Sequence, residues 1–370
     1  MGEKVISLAV AVFNMEKYLH RCLDSVLIEG IKNKIEVIAV NDGSTDGSLA
    51  IIEKYKTEFP QSVVVINKPN GHYGSCINAA LQIARGKYFR PLDADDWFDP
   101  KTLVQFVKTL ENSGADMVLT NYSKEYAGCR GMAMFDEADI KNIIPGKNYD
   151  FNNFELNNCF LVMHAITYKT TILKQMNFKC AEGIHYTDTE YCLYPLRFIK
   201  TYTYINLVLY RYFVGRTEQS MSELVMAKNK DHLYILATRM INYLSGNLYS
   251  DNIQKMQISL LEKICGYYYQ AVLLHTPRNT KDEVKLNNID LAIKAASGDL
   301  YNKIGTSSYC GLINYVELWR HRGKYAGETL PFKLLAFIRN SIKMILSINS
   351  HVLKIWYERQ WKIYKLKSNG

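Results

Sequence analysis

Leu92-Asp93-Ala94-Asp95-Asp96-Trp97 sets three carboxylates within four residues, at the end of the run Gly86-Lys87-Tyr88-Phe89-Arg90-Pro91. An apolar run that stops at a carboxylate cluster reads as a strand delivering acids to a sheet edge, where open α/β sheets bind ligands. Residues two apart on an extended backbone point to one side, so Asp93 and Asp95 can share a hard cation through oxygen. Such a pair suits a metal that carries a diphosphate. Taken alone, the same acids also serve as a turn capping the helix that begins at Asp99-Pro100.

Upstream of this stretch the chain alternates between strand and helix signals. Residues 5–13 (VISLAVAVF) are apolar almost throughout, as a parallel strand covered on both faces should be. Asn14 offers a cap to the helix that follows, whose Leu19, Cys22, Leu23, Val26 and Leu27 recur at helical spacing. A second apolar strand, 35–40, ends at Asn41-Asp42-Gly43-Ser44-Thr45-Asp46-Gly47-Ser48, which supplies turn residues and helix caps. A helix carrying Leu49, Ile52 and Tyr55 leads to a strand over 63–66. Asn70-Gly71-His72-Tyr73-Gly74 then opens a helix to Ala84, closed by Arg85-Gly86 as a glycine stop. The acid-tipped strand, a helix to Leu110 and a strand over 116–120 complete a β-α series, which predicts a mostly parallel sheet with right-handed crossovers.

Downstream of Asn121 the alternation weakens. Residues 122–150 read as loop or short hairpin, and 160–168 and 202–213 as further strands. Gly183-Ile184-His185-Tyr186-Thr187-Asp188-Thr189-Glu190-Tyr191 enters a helix, and from Leu224 the pattern is helical and tyrosine-rich with no strand signal. These readings divide the chain into an α/β domain over 1–220, a helical domain over 221–329 and a basic amphipathic tail over 330–370.

Bulk properties narrow the setting. With 370 residues, 48% of them hydrophobic, the chain exceeds one typical domain and can bury a real core. The net charge of +9 is concentrated: residues 330–370 hold eight Lys or Arg against the single acid Glu358. Eight cysteines without a CxxC pair read as free thiols of a reducing compartment. The start Met1-Gly2-Glu3-Lys4 shows no leader pattern, and no apolar run approaches the roughly 18 residues a spanning helix needs. The expected location is cytoplasmic, peripheral on the inner face of the plasma membrane if the tail binds lipid.

Taken in order, Val12-Phe13-Asn14, Asn41-Asp42-Gly43-Ser44-Thr45-Asp46, Asn70-Gly71 and Leu92-Asp93-Ala94-Asp95-Asp96-Trp97 resemble the family 2 glycosyltransferases of bacterial surface polysaccharide type, over roughly residues 4–220. Ala11 departs from the proline often found there. The resemblance implies a GT-A fold, a Rossmann-like sheet flanked by helices, followed here by a C-terminal helical region. It also implies a UDP-sugar donor. Asp42 would accept the imide N–H of uracil, Phe13 and Asn14 would line the base, and Asn70 would face the diphosphate. Asp93 would sit near the ribose beside Ala94, with Asp95 and Asp96 on a Mn²⁺ or Mg²⁺ that acts as Lewis acid for the leaving UDP.

A transferase also needs a base for the acceptor hydroxyl. Asp188 matches the family aspartate by position, although Thr187 replaces the usual glutamate; Glu190 is the substitute, and helix capping by Thr187 or Asp188 the structural alternative. One base and direct displacement give inversion, moving a single hexosyl or N-acetylhexosaminyl group to a glycan or lipid-linked acceptor of cell-surface polysaccharide synthesis. The chain lacks the Gln-x-x-Arg-Trp motif of processive synthases.

Tyr210-Arg211-Tyr212 with Gly215 and Arg216 resembles a segment that closes over the diphosphate in some relatives, and Arg216 offers a phosphate partner. His72, His164 and His185 fall at no metal-ligand spacing and read as packed residues, with His72 open to a donor contact. In the tail, Leu334, Leu335, Ile338, Ile342, Ile345 and Leu346 share one helical face, followed by Leu353, Trp356, Tyr357, Trp361 and Tyr364 among basic residues. That pattern suits an anionic membrane surface or packing on the protein itself; no nucleic-acid motif accompanies it. The competing class is a non-catalytic sugar-nucleotide-binding module recruited to membrane by this tail.

Overall fold

The computed structural model describes residues 3–126, 143–154, 161–214, 222–245 and 251–347. Arg216 and tail residues 348–370 lie outside these. The chain forms two compact units, Met1–Val214 with Tyr249–Ile253, and Gly215–Leu248 with Gln254–Gly370.

The first unit runs β1 (Ile6–Val12), α1 (Leu19–Asp24), β2 (Ile35–Asp42), α2 (Ser48–Glu58), β3 (Val63–Lys68), α3 (His72–Ile83), β4 (Tyr88–Asp93), β5 (Trp97–Phe98), α4 (Pro100–Asn112) and β6 (Met117–Tyr126). It continues with β7 (Asn148–Asp150), β8 (Ile166–Lys169), α5 (Thr170–Gln175), α6 (Asp188–Leu193) and β9 (Thr201–Val214). The strand order is β3-β2-β1-β4-β8-β6-β9-β5, with β7 on β9. Strands β1 to β4 are parallel to one another, and the apolar runs of β1, β2 and β4 are buried as a covered parallel sheet requires, while the edge strand β3 buries only Val63. Leu8, Val10, Leu19, Leu23, Ile52, Phe106 and Leu110 join sheet and helices in one core, each such side chain contributing about 1.5–3 kcal/mol by burial.

The sheet is mixed beyond β4, whereas the sequence pattern predicts a mostly parallel one. β8 runs antiparallel to both β4 and β6. Thr170, just past β8, bonds Lys87 O through its N–H at 3.0 Å and Gly86 O through its hydroxyl at 2.5 Å, so the end of β8 lies beside the beginning of β4. Of the strand expected over 160–168, residues 163–165 form a 3-10 turn and the strand itself starts at Ile166.

Two local expectations change. Asn14 does not cap a helix: α1 starts at Leu19 after Tyr18, and Asn14, at φ 55°, accepts the Thr45 N–H at 2.8 Å. Asparagine tolerates this left-handed backbone, so the residue clamps the Asn41–Ser48 loop instead. Nor is Gly86 a left-handed helix stop, since α3 ends at Ala84 in an extended conformation. A Cβ on Gly86 would lie 2.3 Å from Ser7 N, so glycine is required for the chain to pass against β1. There Gly86 N–H bonds Ser7 Oγ at 2.8 Å, Ser7 bonds buried Glu36 at 2.6 Å, and Arg85 Nε pairs with Glu36 at 2.6 Å. Asp99 caps α4 as expected, accepting Thr102 N–H at 3.0 Å with Pro100 in the first turn.

The second unit holds α7 (Glu223–Lys228), α8 (Lys230–Ser245), α9 (Asp251–His275), α10 (Thr280–Ala296), α11 (Gly298–Gly305), α12 (Tyr315–Arg322) and α13 (Leu330–Ser347). A short hairpin of β10 (Ser308–Tyr309) and β11 (Ile313–Asn314) interrupts the helical pattern. Its turn, Cys310-Gly311 at φ 53° and 72°, is the local signal for it. α13 seats Phe332 against Tyr309, ring centroids 4.8 Å apart, and pairs Arg339 with Glu223. Leu330, Leu334, Phe337 and Ile338, on the opposite side of the helix, are exposed. Among the described residues no helix is long and apolar enough to cross a membrane.

Candidate active site

The strand order reverses between β1 and β4, since β2 and β3 extend to one side of β1 and β4 to the other. In open α/β sheets this switch point leaves a crevice at the carboxyl ends of the strands. Register places the tips together: Val12 faces Asn41 across β1–β2, and Ala11 faces Asp93 across β1–β4. Phe13 and Asn14 therefore leave the sheet between Asp42 and Asp93, and Phe13 stands 46% exposed at that edge.

On the β2 side, Asp42 is buried and faces Lys68 across β2–β3. Its Oδ1 accepts from the Lys68 ammonium and from Gly71 N–H at 2.9 Å, while Asn70 Nδ2 bonds the Asp42 carbonyl at 2.9 Å. The sequence alone gave no role to Lys68; its place opposite Asp42 follows from strand register.

On the β4 side, Asp95 and Asp96 are buried, Ala94 packs in the core and Asp93 is half-buried. Asp96 accepts the Tyr210 hydroxyl at 2.6 Å and Phe213 N–H at 2.7 Å. Burial, then repulsion from Asp95 and Asp93, pushes its carboxyl well above the usual range. Arg21 of α1 donates to Asp95 O at 2.7 Å and stacks on Trp97 at 3.8 Å. Burial lowers its pKa, and Asp96 and Asp95 pull it back up.

One atom each of Asp93, Asp96 and His164 lies within 4.8 Å of the others. Asp96 was an expected cation ligand and His164 was not; Asp95, also expected, is not one of the three. Spacing rules missed His164 because it stands 71 positions from Asp93 and 68 from Asp96 in the chain. The donor set of carboxylate oxygens and one imidazole, with a buried Asp96 short of counter-charge, fits a divalent cation.

Asp188 opens α6 and is half-buried. Tyr73, from the first turn of α3, has its hydroxyl pushed up by burial and then by both Asp93 and Asp188, so both carboxylates are within electrostatic reach of that hydroxyl. Tyr212 likewise feels Asp96, Asp93, Asp95 and Asp188 beyond its burial. Glu190 is instead fully buried, accepting from Ala181 N–H at 2.6 Å and from the Tyr194 hydroxyl at 2.7 Å. Thr187 makes no side-chain cap. The loop that leads to Asp188 is tied to the donor-side turn by Gly183 N–H to Gly71 O at 2.8 Å and by Asn78, which bonds Cys180 N and O at 2.8 and 2.9 Å. A Cβ on Gly74 would lie 2.0 Å from Ala181 O, so this seam closes only over glycine. His72 and His185 meet across it with ring centroids 4.5 Å apart.

Residues 7–176 match the family described as Glycosyl transferase family 2. Over these residues the chain is similar to glycosyl transferase family 2. EpsH of Bacillus subtilis (strain 168) is 36% identical over 126 residues, which are 34% of this chain and 36% of EpsH. Glycosyltransferase GlyA of Streptococcus pneumoniae is 28% identical over 244 residues, 61% of this chain and 34% of GlyA. The chain thus spans about a third of the length of each of these relatives. Residues 1–349 of S. aureus TarS, solved in complex with UDP-GlcNAc, share the fold: the TM-score is 0.59 at 17% identity, covering 87% of this chain and 93% of that one. The mixed sheet with flanking helices is therefore a GT-A fold followed by a helical region, as the motifs imply.

Proposed function

We propose that this chain transfers a single sugar from a UDP-sugar to a hydroxyl of a glycan or lipid-linked acceptor in surface polysaccharide synthesis, with inversion at the anomeric carbon. One observation carries the reading: a switch-point crevice with Asp42 on one side and Asp93, Asp95 and Asp96 on the other, with Asp188 in electrostatic reach of the same Tyr73 hydroxyl as Asp93. The UDP-GlcNAc complex of TarS, a protein of this fold, supports a UDP-sugar donor.

Asp42 has Oδ1 engaged by Lys68 and Gly71, and its other oxygen would accept the uracil imide N–H. Phe13 and Asn14 line the base, and Asn70 holds the turn that faces the diphosphate. Asp93 and Asp96 would hold Mn²⁺ or Mg²⁺, with Asp95 between them in the same loop, and the metal when bound would neutralise the diphosphate and the charge that grows on departing UDP. Asp188 takes the proton of the acceptor hydroxyl as its oxygen bonds the anomeric carbon and the bond to UDP breaks. Arg21 sets its guanidinium beside the acid loop.

The test is UDP release from a panel of UDP-sugars, with and without Mn²⁺, by the full chain and by Asp95→Ala. The reading predicts metal-dependent release for at least one donor, lost in the variant. Release from none of the donors would remove it, and wild-type rates in Asp95→Ala would remove Asp95 from the metal site.

The outward apolar side of α13, continued by the basic and aromatic sequence beyond it, supports a further part of the proposal: contact with an anionic membrane at the cytoplasmic face.

A further inference from the structure

We infer that His164 is a ligand of the divalent cation, beside Asp93 and Asp96, and that it biases the site towards Mn²⁺ over Mg²⁺. The inference rests on the transferase reading and adds a residue that neither the motifs nor the family match assigns.

The observation is an imidazole fixed among acids. A ring nitrogen of His164 and one oxygen each of Asp93 and Asp96 lie within 4.8 Å of one another. Three tyrosine rings frame the imidazole. Tyr122 stacks at 5.3 Å between centroids, Tyr212 lies at 4.5 Å, and Tyr210 meets it edge-on at 4.8 Å. The backbone is fixed separately, because the fully buried Arg90 donates to His164 O as well as to Thr120 and Thr167 at 3.1 Å. These contacts arise from β4, β6, β8 and β9, outside the acid loop. A histidine that merely filled core space would need no approach to two carboxylates, one of them fully buried.

The chemistry follows from the donor set. Oxygen-only sites serve Mg²⁺ well, whereas an imidazole nitrogen favours transition-series dications. Tyr210 also donates to Asp96, so one residue orients both a carboxylate ligand and the imidazole ring, as outer-shell partners of metal sites do. The bias therefore belongs to a preformed arrangement.

The experiment uses the full chain saturated with UDP. Mn²⁺ and Mg²⁺ are titrated by calorimetry, and pulsed electron paramagnetic resonance of bound Mn²⁺ reads nitrogen coupling, with ¹⁵N-histidine labelling to assign it. Wild type should show a histidine nitrogen on Mn²⁺. His164→Phe, which keeps a ring among the tyrosines, should lose that coupling and weaken Mn²⁺ by about 10–100-fold, the range seen when metal-site support is removed, with Mg²⁺ changed far less. His164→Gln serves if the phenylalanine variant fails to fold, since the wild-type coupling needs no variant at all. Bound Mn²⁺ without histidine coupling, or coupling that persists in either variant, overturns the assignment of His164 and leaves the transferase reading intact. Failure of UDP and Mn²⁺ to bind together overturns both.

Discussion

Tyr210 and Asp96, separated by 114 positions in the chain, meet through a 2.6 Å hydrogen bond in which the phenol donates. The same oxygen accepts the Asp93 N–H at 3.1 Å. One hydroxyl on β9 thus ties both ends of the acid loop, and it opposes the rise in the Asp96 carboxyl that burial causes. Tyr210→Phe should cost about 1–2 kcal/mol for the lost bond and the buried acceptor left behind. It should also weaken Mn²⁺ binding in the presence of UDP. Urea unfolding and metal titration measure the two effects, and a variant unchanged in both would show that the hydroxyl does not organise the loop.

Asp188 and Glu190 occupy neighbouring positions with different surroundings. Asp188→Asn should fold and bind UDP as wild type does, while transfer falls about 10²–10⁴-fold, the usual contribution of a positioned base. Glu190→Gln should act on stability instead, by about 1.5–3 kcal/mol, because its buried carboxylate accepts two hydrogen bonds. Normal transfer by Asp188→Asn together with collapse in a stably folded Glu190→Gln would reverse the roles.

These residues mark what was legible in the sequence. The acid loop and its helix cap, the Asn41–Ser48 turn and the first four strands are written locally, in apolar runs and turn residues, and the structure reproduces them. The antiparallel entry of β8 was not legible, because a short buried strand carries no signal for direction. Lys68, His164 and Tyr210 reach the crevice only through register and strand order, which a local pattern does not encode. Asn14 and Gly86 are recognisable as special, but neither serves the local task its pattern suggests, a helix cap for one and a helix stop for the other. Each meets the demand of a distant segment, the Thr45 N–H for one and the Ser7 backbone for the other.

Gly86→Ala tests that last point. The added Cβ would meet Ser7 N at 2.3 Å and the Ile6 carbonyl carbon at 2.5 Å, both backbone atoms of a buried strand. A left-handed glycine stop replaced by alanine would cost about 1–2 kcal/mol, whereas overpacking against a fixed strand costs about 1–3 kcal/mol or more. The expected loss is about 3 kcal/mol in urea unfolding. A loss below about 1 kcal/mol would mean that the close approach relaxes freely.

His275 gives the second unit a pH dependence. Burial pushes its imidazole below the ordinary range; Glu223 pulls it up, and Arg339 pushes it down again. A group whose pKa is lower folded than unfolded binds its proton preferentially in the unfolded chain. Its contribution is present in full above the unfolded value of about 6.5 and is lost as pH falls through that value toward the lower folded one. Unfolding midpoints measured from pH 7.5 down to 5 should therefore fall more steeply for wild type than for His275→Gln. Parallel curves would assign the acid sensitivity to other groups.

The final prediction concerns α13. Phe332 and Arg339 hold one side of the helix, through Tyr309 and Glu223. The opposite side leaves Leu330 at 78%, Leu334 at 58%, Phe337 at 70% and Ile338 at 46% exposure. Sequence reasoning left open whether this helix packs on the protein or turns outward, and among the described residues the two properties divide between its two sides. A helix anchored by one side and apolar on the other can lie in the headgroup layer, with each nearby cation adding about 1 kcal/mol on anionic lipid. Flotation with anionic and neutral vesicles, comparing the full chain with one ending at Glu328 and with Leu334→Glu/Phe337→Glu, separates the contributions. The full chain should float with anionic vesicles, more weakly at high salt, and both variants should float less. Truncation acting alone would move the contact to the basic sequence beyond α13. Equal recovery of all three proteins, or flotation of none, would remove the membrane role from this segment.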